Sequence, residues 1–408
     1  MEKKASKKAL GIIFLIVFMD LVGFGMIIPL STYLAKDLGA SPLEIGLLMT
    51  IYSLMQFIFS PFWGKLSDRV GRRPILLLSL FGSSLSFLFY AYSTELWMLY
   101  ASRALAGIFG ANISTAMAYI ADVTDKDSRS KGMGLIGAAF GMGFVFGPFI
   151  GGIFGDIGRS LGTEAPFGLN FSALIASGIC FLNFFCAIKI LKESLTPEMR
   201  QNLPKRSSRV KQISRFVTKP LLGSLLFTTL LSTVAMAHME STMFLFVKEQ
   251  FDWSLSFASY GFAYIGLMMV FTQGYLIRKW MPKYGERKLL VIGLIMSVIG
   301  MAGISFTTGV WSMLVVQTIL ALGYGLLNPS LLGSISLSGE ANEQGQLMGV
   351  NQSMSALGRI IGPAAGGFVY QAIGKTSPYI VAASLFFLAL IFIAKNYSKL
   401  PNQGLSRK

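Results

Sequence analysis

Residues 133–152 read MGLIGAAFGMGFVFGPFIGG, and residues 348–367 read MGVNQSMSALGRIIGPAAGG. Both stretches place a Gly-Pro pair and a Gly-Gly pair at the same spacing, and the second follows the first by 215 positions. A weaker repeat relates GKLSDRVGRRP at 64–74 to GYLIRKWMPKYGERK at 274–288. These repeats predict a duplicated unit of six helices, and hence two pseudo-symmetric six-helix bundles around a central cavity.

Long apolar blocks surround the repeated stretches. Of the 408 residues, 53% are hydrophobic and 13% are charged, and the mean hydropathy is +0.61. A soluble domain of this length needs more charge to cover its surface. A spanning helix needs about 20 apolar residues, and these blocks are too long for barrel strands. The sequence therefore predicts an all-α membrane protein with 12 transmembrane helices, at about 9–34, 43–64, 74–93, 96–120, 129–156, 166–189, 221–247, 254–277, 288–307, 310–334, 345–372 and 377–394.

The formal net charge of +16 raises the alternative of a nucleic-acid partner. The basic residues, however, concentrate at alternate ends of the apolar blocks, as they do where cytoplasmic loops retain Lys and Arg. We therefore predict no nucleic-acid partner. We predict a multi-pass protein of the cell (inner) membrane, in contact with the lipid bilayer, with both termini in the cytoplasm. The predicted outer side keeps only Lys36, Arg159, Lys248 and Lys375.

The sharpest break between apolar blocks is 190–220. It carries eight basic residues: Lys192, Arg200, Lys205, Arg206, Arg209, Lys211, Arg215 and Lys219. The sequence thus predicts an N-terminal six-helix bundle at 1–189, a basic cytoplasmic linker at 190–220, and a C-terminal six-helix bundle with a short cytoplasmic tail at 221–408. A helix in this linker would lie on the anionic lipid surface.

A charged loop is predicted after the second apolar block, at Gly64-Lys65-Leu66-Ser67-Asp68-Arg69-Val70-Gly71-Arg72-Arg73-Pro74. Its glycines allow a tight turn between two helices, and its charges can form an ion-pair latch on the cytoplasmic side. The candidate latch residues here are Gly64, Asp68, Arg69, Gly71 and Arg72. The alternative is an ordinary solvated basic loop.

Three other blocks carry patterned stretches: DLVGFGMIIP at 20–29, RALAGIFGA at 103–111 with AYIAD at 118–122, and GMG at 141–143 with GPFIGG at 147–152. Together with 64–74, they resemble the major facilitator superfamily. The pattern of the fifth block is similar to that of its drug antiporters, in particular the bacterial tetracycline proton antiporters. The resemblance implies that Asp68 caps the inner end of the eleventh helix, and that Asp122 pairs with Arg72 in the outward-open state.

The fifth block is the candidate hinge. Small residues and a proline kink let a helix pack closely, where it can seal or hinge a cavity. The residues of this motif are Gly143, Gly147, Pro148, Gly151 and Gly152. The alternative is ordinary packing of a glycine-rich helix.

The sequence also departs from the tetracycline group. Those proteins carry acidic residues in the third and ninth helices and a histidine in the eighth, where this chain has Ser86, Ser297 and Met268. The resemblance therefore supports the fold and proton coupling. The departures argue against tetracycline as the substrate.

Four charged residues fall well inside apolar blocks: Asp20, Arg103, Glu240 and Arg359. A charge at the centre of a membrane helix costs about 2.5–3.5 kcal/mol on insertion scales, so each is expected to face a cavity or a partner. In the family, the helices that carry them line the central cavity. Asp20 and Arg103 are predicted to pair, with Asp20 as proton carrier and Arg103 as its modulator. The alternative is a fixed structural ion pair.

Glu240 is predicted to bind a cationic substrate or a second proton, and the alternative is a static pair with Arg359. Arg359 is also a candidate for attracting an anionic headgroup. His238 faces away from Glu240 on a helix, which favours a packed histidine over a proton relay. Other polar residues of the spans are candidate substrate contacts: Asn112, Gln56 and Gln352.

These features favour a secondary active transporter over an enzyme. The sequence has no phosphate-binding GxxxxGK[ST] loop, so we predict no cofactor, no metal, and a proton gradient as the energy source. The predicted activity is export of amphipathic small molecules, drugs or metabolites, in exchange for protons by alternating access, by a monomer. One alternative is a transporter of lipids or anionic amphiphiles. Another, of a different class, is a membrane receptor or scaffold that transports nothing.

Overall fold

The computed structural model describes residues 7–124, 129–196, 209–340 and 343–401. Regular structure in these ranges is helical, because in lipid a helix satisfies its own backbone hydrogen bonds. The α-helices are α1 (Lys7–Asp37), α2 (Pro42–Val70), α3 (Arg72–Ala91), α4 (Leu96–Phe109), α5 (Ile113–Val123), α6 (Arg129–Leu161), α7 (Phe171–Ile190), α8 (Arg209–Val217), α9 (Pro220–Phe251), α10 (Leu255–Phe271), α11 (Ile277–Ile304), α12 (Val310–Ser338), α13 (Gln344–Ala372) and α14 (Ser377–Lys395).

Ten helical segments of the described chain are long and apolar enough to cross a membrane. One of them, Leu255–Ile304, is 50 residues long, about twice what one crossing needs. Its backbone breaks at Gly285, where φ is 72°, so it makes two crossings. The helix α13 has 29 residues and is more polar than the other spans, since it carries Arg359 and several glutamines. It makes the twelfth crossing. The prediction of an all-α protein with twelve transmembrane helices is confirmed.

The turn between α2 and α3 is much shorter than the predicted loop. The helix α2 continues to Val70, through most of the charged stretch, and α3 begins at Arg72. Only Gly71 makes the turn, with a φ of 112° that residues with a side chain rarely adopt. Gly285 makes a similar turn in the second half of the chain. The weaker sequence repeat therefore corresponds to a repeated glycine turn between two helices.

The chain forms two compact units. Unit 1 consists of Met1–Ser41, Ile51–Lys205 and Asp252–Ala263, and unit 2 of Pro42–Thr50, Arg206–Phe251 and Tyr264–Lys408. The predicted boundaries of the bundles and the linker, at residues 189 and 220, stay predictions.

Unit 1 contains a close contact between α1 and α6, which we call the first seam. A Cβ atom at Gly147 would lie 2.6 Å from the Cα of Gly25, closer than two such atoms can approach. The glycines one turn before and after it also face α1, so that Cβ atoms there would meet Leu21 and Met26. The α6 residues of the first seam are Gly143, Gly147 and Gly151. Small residues let the two backbones touch, which replaces the hydrophobic effect as the driving force for packing in lipid.

Unit 2 contains the matching contact between α9 and α13, the second seam. A Cβ atom at Gly362 would lie 2.5 Å from the Cβ of Ala237. The α13 residues of the second seam are Gly358, Gly362 and Gly366, each 215 positions after its counterpart in α6. The sequence repeat is therefore also a repeat of helix packing.

The helices α6 and α13 each also pack against the first turn of another helix. The start of α10 packs on α6 within unit 1, where a Cβ atom at Gly152 would lie 3.0 Å from the Cα of Ser256. The start of α2 packs on α13 within unit 2, where a Cβ atom at Gly367 would collide with the carbonyl oxygen of Pro42. The second glycine of each Gly-Gly pair thus makes room for a second neighbour.

The side chains next to these helix starts differ between the units. In unit 1 the Ser256 hydroxyl donates a hydrogen bond to the Asp156 carboxylate. In unit 2 the Leu43 N–H donates one of 3.3 Å to the Gln371 side-chain oxygen. A carboxylate therefore stands in unit 1 where unit 2 has a neutral amide.

Candidate functional site

The carboxylate of Asp20, on α1, borders a small cavity inside unit 1. The cavity has a volume of about 20 Å³, room for one water molecule. Asn112 donates a hydrogen bond of 3.4 Å from its Nδ2 to Oδ2 of Asp20. Ser83 and Tyr52 supply further hydroxyl groups to the cavity wall. The polar groups around Asp20 at this cavity are thus neutral hydrogen-bonding groups.

A break in the fourth transmembrane segment positions Asn112. The segment is interrupted between α4 and α5, so carbonyl groups at the break lose their helical partners. Gln56 compensates for one of them, since its Nε2 donates a hydrogen bond of 3.0 Å to the carbonyl oxygen of Gly110. The same nitrogen lies 3.3 Å from the Tyr52 hydroxyl. Gln56 and Asn112, both predicted as substrate contacts, therefore also support the Asp20 cavity.

The guanidinium of Arg103, on α4, lies against two aromatic rings rather than against Asp20. Its central carbon is 4.6 Å from the ring centre of Tyr52 and 5.5 Å from that of Phe24. These two rings stack on each other with centres 4.7 Å apart. A cation over an aromatic face is attracted by the ring's quadrupole, which partly offsets its desolvation. We call these three side chains the arginine clamp.

The predicted ion pair between Asp20 and Arg103 is not formed in this structure. Asp20 takes its hydrogen bond from Asn112, and Arg103 is only 2% exposed on the two rings. The Nε and Nη1 atoms of Arg103 have no hydrogen-bond partner, which is costly for a buried cation. Unit 1 therefore holds a carboxylate beside a water-sized cavity and, separately, a buried cation with unused donors.

Glu240, on α9, is the corresponding charged residue of unit 2. It interacts electrostatically with Arg359 on α13. The hydroxyl of Tyr324 on α12 interacts electrostatically with both charges. The structure thus brings together the two charges predicted for this half and places Tyr324 beside them, a residue with no distinguishing signal in the sequence.

Gln352 and Arg359 share one face of α13. They are seven residues apart, about two helical turns, and Gln352 is exposed on the surface of unit 2. The preceding residue, Asn351, has a different role. It is buried, and its side-chain oxygen accepts a hydrogen bond of 2.8 Å from the Thr229 hydroxyl. Gln352 is therefore exposed on α13, while its neighbour Asn351 is internal.

His238 is a packed residue. It is 2% exposed, its Nδ1 lies 2.9 Å from the carbonyl oxygen of Val234 one turn earlier, and its backbone faces Gly366 of the second seam. This geometry agrees with the interpretation of a packed histidine.

Two serines of the third and ninth apolar blocks are also internal. Ser86 and Ser297 are buried, and each donates a hydrogen bond to the carbonyl oxygen four residues earlier in its own helix, at 2.7 and 2.8 Å. Both hydroxyl groups are therefore engaged with their own helix backbone.

A charge network occupies the end of α2 and the start of α3. Arg72 donates from Nε to Asp122 at 3.2 Å, and from Nη1 to Asp68 and to the Ser67 hydroxyl. Gly64 lies within the same helix end, where its carbonyl oxygen accepts from the Ser67 hydroxyl, and Arg69 is exposed. The expected contact between Arg72 and Asp122 is therefore present, while its role as a latch stays a prediction.

The segment after α7 adds residues to this network that sequence reasoning misses. The Glu193 carboxylate accepts hydrogen bonds from the backbone N–H groups of Arg72 and Arg73, at 2.8 and 3.1 Å, and so caps α3. A Cβ atom at Gly71 would collide with this carboxylate. Ser194 donates a hydrogen bond of 2.9 Å to Asp122. A charged segment after a helix gives no sign of which distant helix end it caps.

Tyr52 and Phe24 are the other functional candidates that sequence reasoning misses. A weak signal exists for Tyr52, because it precedes Gln56 by four residues and therefore shares its helix face. Phe24 has an equally weak signal, because it follows Asp20 by four residues within the stretch 20–29.

The protein-family model described as Major Facilitator Superfamily matches residues 13–284 and 276–408 of the chain. The tetracycline resistance protein, class B, of Escherichia coli is 33% identical over 360 residues, covering 87% of this chain and 87% of its own length. Multidrug resistance protein 2 of Bacillus subtilis is 30% identical over 378 residues, covering 92% and 91%.

Among solved structures, the human organic anion transporter MFSD10 (TETRAN) is similar with a TM-score of 0.68 and 25% identity. The match covers 95% of this chain and 99% of that one. The similarity to both relatives and to this structure therefore extends over nearly the whole chain.

Proposed function

The chain belongs to the major facilitator superfamily, in the group of the tetracycline and multidrug resistance proteins, and we propose that it exports amphipathic small molecules in exchange for protons. It is a multi-pass membrane transporter and not an enzyme. The proposed substrates are drug-like compounds or metabolites, and the proposed cycle is alternating access, in which the two helical bundles rock about a central site.

The observation that carries the proposal is the Asp20 carboxylate beside a cavity for one water molecule. Its polar neighbours there are Asn112 and hydroxyl groups, and it makes no ion pair with Arg103. A carboxylate fixed in an ion pair keeps its charge, whereas one with neutral neighbours can gain or lose a proton as its hydration changes. We therefore assign Asp20 as the proton carrier, with Arg103 as the neighbouring charge that modulates it.

The proposed substrate contacts are Glu240, Arg359 and Gln352 in unit 2, with Asn112 and Gln56 in unit 1. We propose that Glu240 contacts substrates that carry a positive charge, which compete with Arg359 for its carboxylate. It is also the candidate for a second proton site. Substrates that are both apolar and basic meet these requirements.

A proton gradient supplies the energy in this proposal, without a bound cofactor. The distribution of Lys and Arg along the chain supports cytoplasmic termini in a cell membrane. With that orientation, protons enter Asp20 from outside and leave it inside, while substrate moves outward. We propose the monomer as the functional unit, since each chain carries both halves of the duplicated fold.

Efflux of a panel of amphipathic compounds from bacterial cells without their own exporters tests this proposal. We expect cells that express the protein to accumulate less of some cationic compounds, and we expect a protonophore to abolish the difference. Cells expressing Gly147→Leu, which cannot form the first seam, provide the control. The proposal is contradicted if cells with and without the protein accumulate every compound of the panel equally. It is also contradicted if efflux continues unchanged with the protonophore.

Transport of organic anions is a second candidate function. It is favoured by the Nε and Nη1 atoms of Arg103, which are buried without a hydrogen-bond partner and so suit an anionic group. The structural relative MFSD10 is itself an organic anion transporter. If this candidate is correct, anionic dyes compete for efflux in the wild type and stop competing in Arg103→Gln. Competition by cationic dyes alone excludes it.

A further inference from the structure

The helix α8 ends close to the point where the chain enters the membrane. Two residues separate its last residue, Val217, from Pro220, the first residue of the membrane-spanning helix α9. Phe216 is fully buried, whereas Val217 beside it is 42% exposed. The end of α8 is therefore fixed to unit 2 by one aromatic side chain and presents an apolar residue outward. This arrangement is typical of a helix that lies at a lipid interface.

Two cations share one carboxylate at this end of α8. Arg215 donates a hydrogen bond from Nη2 to Oε1 of Glu343, and Lys219 Nζ lies 3.7 Å from Oε2. The side chain of Glu343 is 8% exposed, whereas those of Arg215 and Lys219 are 57% and 44% exposed. The buried charge is negative and the exposed charges are positive, so the cluster presents an excess positive charge to its surroundings.

The two cations are held in place by the same ring. The Arg215 guanidinium carbon lies 5.8 Å from the ring centre of Phe216, and Lys219 Nζ lies 5.6 Å from it. Cation–π attraction and the shared carboxylate thus keep two flexible side chains together. Preorganised cations lose less side-chain entropy when they bind an anion than free surface lysines do. We call Arg215, Lys219 and Glu343 the linker cluster.

We propose that the linker cluster binds the phosphate group of an anionic phospholipid in the cytoplasmic leaflet, with Glu343 as an internal competitor for its two cations. An arginine and a lysine side by side suit a phosphate, because the guanidinium donates two parallel hydrogen bonds and the ammonium adds a point charge. The neighbouring Val217 can contact the lipid's apolar part. The inference does not require that the protein transport protons, but it rests on the predicted cytoplasmic position of residues 190–220.

Binding of phosphatidylglycerol to the purified full-length protein tests the proposal. The protein is placed in detergent micelles that contain phosphatidylcholine and increasing fractions of phosphatidylglycerol, and bound lipid is counted by native mass spectrometry. The test variant is Arg215→Gln/Lys219→Gln. The control is Arg278→Gln/Lys279→Gln, which removes the same charge from two residues of α11. We expect the test variant to bind phosphatidylglycerol about tenfold more weakly, because basic residues at the surface attract anionic lipid.

Glu343→Gln provides a second measurement in the opposite direction. It removes the competing carboxylate, so we expect phosphatidylglycerol to bind several-fold more tightly than to the wild type. This result also separates the proposal from simple unfolding, which weakens lipid binding. Equal losses in the test and control pairs overturn the proposal, because they indicate a general surface-charge effect. Unchanged or weaker binding in Glu343→Gln overturns it as well.

Discussion

The first and second seams pack in the same way, although little of their sequence is identical. Gly147 of α6 meets Gly25 of α1, and Gly362 of α13 meets Ala237 of α9. The α13 residues follow those of α6 by 215 positions, and the α9 residues follow those of α1 by 212. In both seams a single added carbon atom collides with the neighbouring helix. The geometry of the backbone is thus duplicated almost turn by turn.

The charges beside the two seams are not duplicated. By the same offsets, the three charged residues inside the membrane spans of these helices correspond to uncharged residues of the other half: Asp20 to Ser232, Glu240 to Ile28, and Arg359 to Phe144. Close helix packing restricts a position to the smallest residues, whereas a position facing a cavity accepts many side chains. The comparison therefore indicates that packing was kept in both halves while the chemistry diverged. In our proposal, unit 1 holds the principal proton carrier, Asp20, and unit 2 holds the charged substrate contacts, Glu240 and Arg359.

The largest expected effect comes from breaking either seam. Gly147→Ala and Gly362→Ala each place a methyl group within 2.6 Å of the facing helix, and we expect each to lower the free energy of unfolding by about 2 kcal/mol. Thermal unfolding of the purified protein measures this. Gly141→Ala is the matched control, because nothing lies within 4 Å of its added Cβ. A normal melting temperature in either seam variant refutes the duplicated packing.

Removing the charge of Glu240 should alter substrate choice. We expect Glu240→Gln to reduce efflux of cationic compounds about tenfold, which corresponds to about 1.4 kcal/mol. Neutral compounds of similar size should be exported at the wild-type rate, because the change in shape is small. Initial efflux rates of a matched cationic and neutral pair measure the difference. Equal losses for both compounds indicate a structural role for Glu240. They contradict its assignment as a residue of unit 2 that selects the substrate.

The arginine clamp should require a flat cation. In Arg103→Lys the charge is kept, but an ammonium cannot lie face to face on the rings of Tyr52 and Phe24 as a guanidinium does. We expect a transport rate several-fold below that of the wild type and a loss of stability of about 1 kcal/mol. Transport assays and thermal unfolding of the same preparation measure the two effects. If the lysine variant matches the wild type in both, then only charge matters at this position.

The smallest expected effect concerns the helix starts that pack on the seams. Asp156 carries a charge near the start of α10, whereas Gln371 is neutral near the start of α2. A negative charge favours a helix N-terminus, so Asp156→Asn should destabilise unit 1 by less than about 1 kcal/mol. The converse change, Gln371→Glu, should stabilise unit 2 by a similar amount. Thermal unfolding of both variants checks the opposite signs, and shifts of equal sign contradict this explanation.

Much of the fold is predictable from the sequence because it depends on composition and spacing. Apolar blocks of sufficient length give the twelve helices, and the repeated Gly-Pro and Gly-Gly pairs locate both seams. The length of the turn at 64–74 is not predictable in the same way. Polar residues suggest a loop, but they also extend a helix beyond the lipid, and only the φ of Gly71 identifies where the helix ends.

The candidate site is less predictable because it depends on contacts between distant parts of the chain. The sequence identifies Asp20 and Arg103 as charges in a membrane, for which a mutual ion pair is the simplest partner. It does not show that the break before α5 brings Asn112 to Asp20, or that two aromatic rings take up Arg103. Both arrangements follow from three-dimensional packing among helices and not from local periodicity.

Substrate-dependent proton movement in proteoliposomes tests the central claim most directly. The wild type and Asp20→Asn are reconstituted with a pH-sensitive dye inside, and an exported compound identified in cells is added. Asparagine keeps the size of Asp20 and an oxygen that can accept the hydrogen bond from Asn112, so folding should be preserved. We predict substrate-driven proton flux in the wild type and none in Asp20→Asn, with substrate binding retained. Full proton flux in Asp20→Asn would contradict the assignment of Asp20 as the proton carrier.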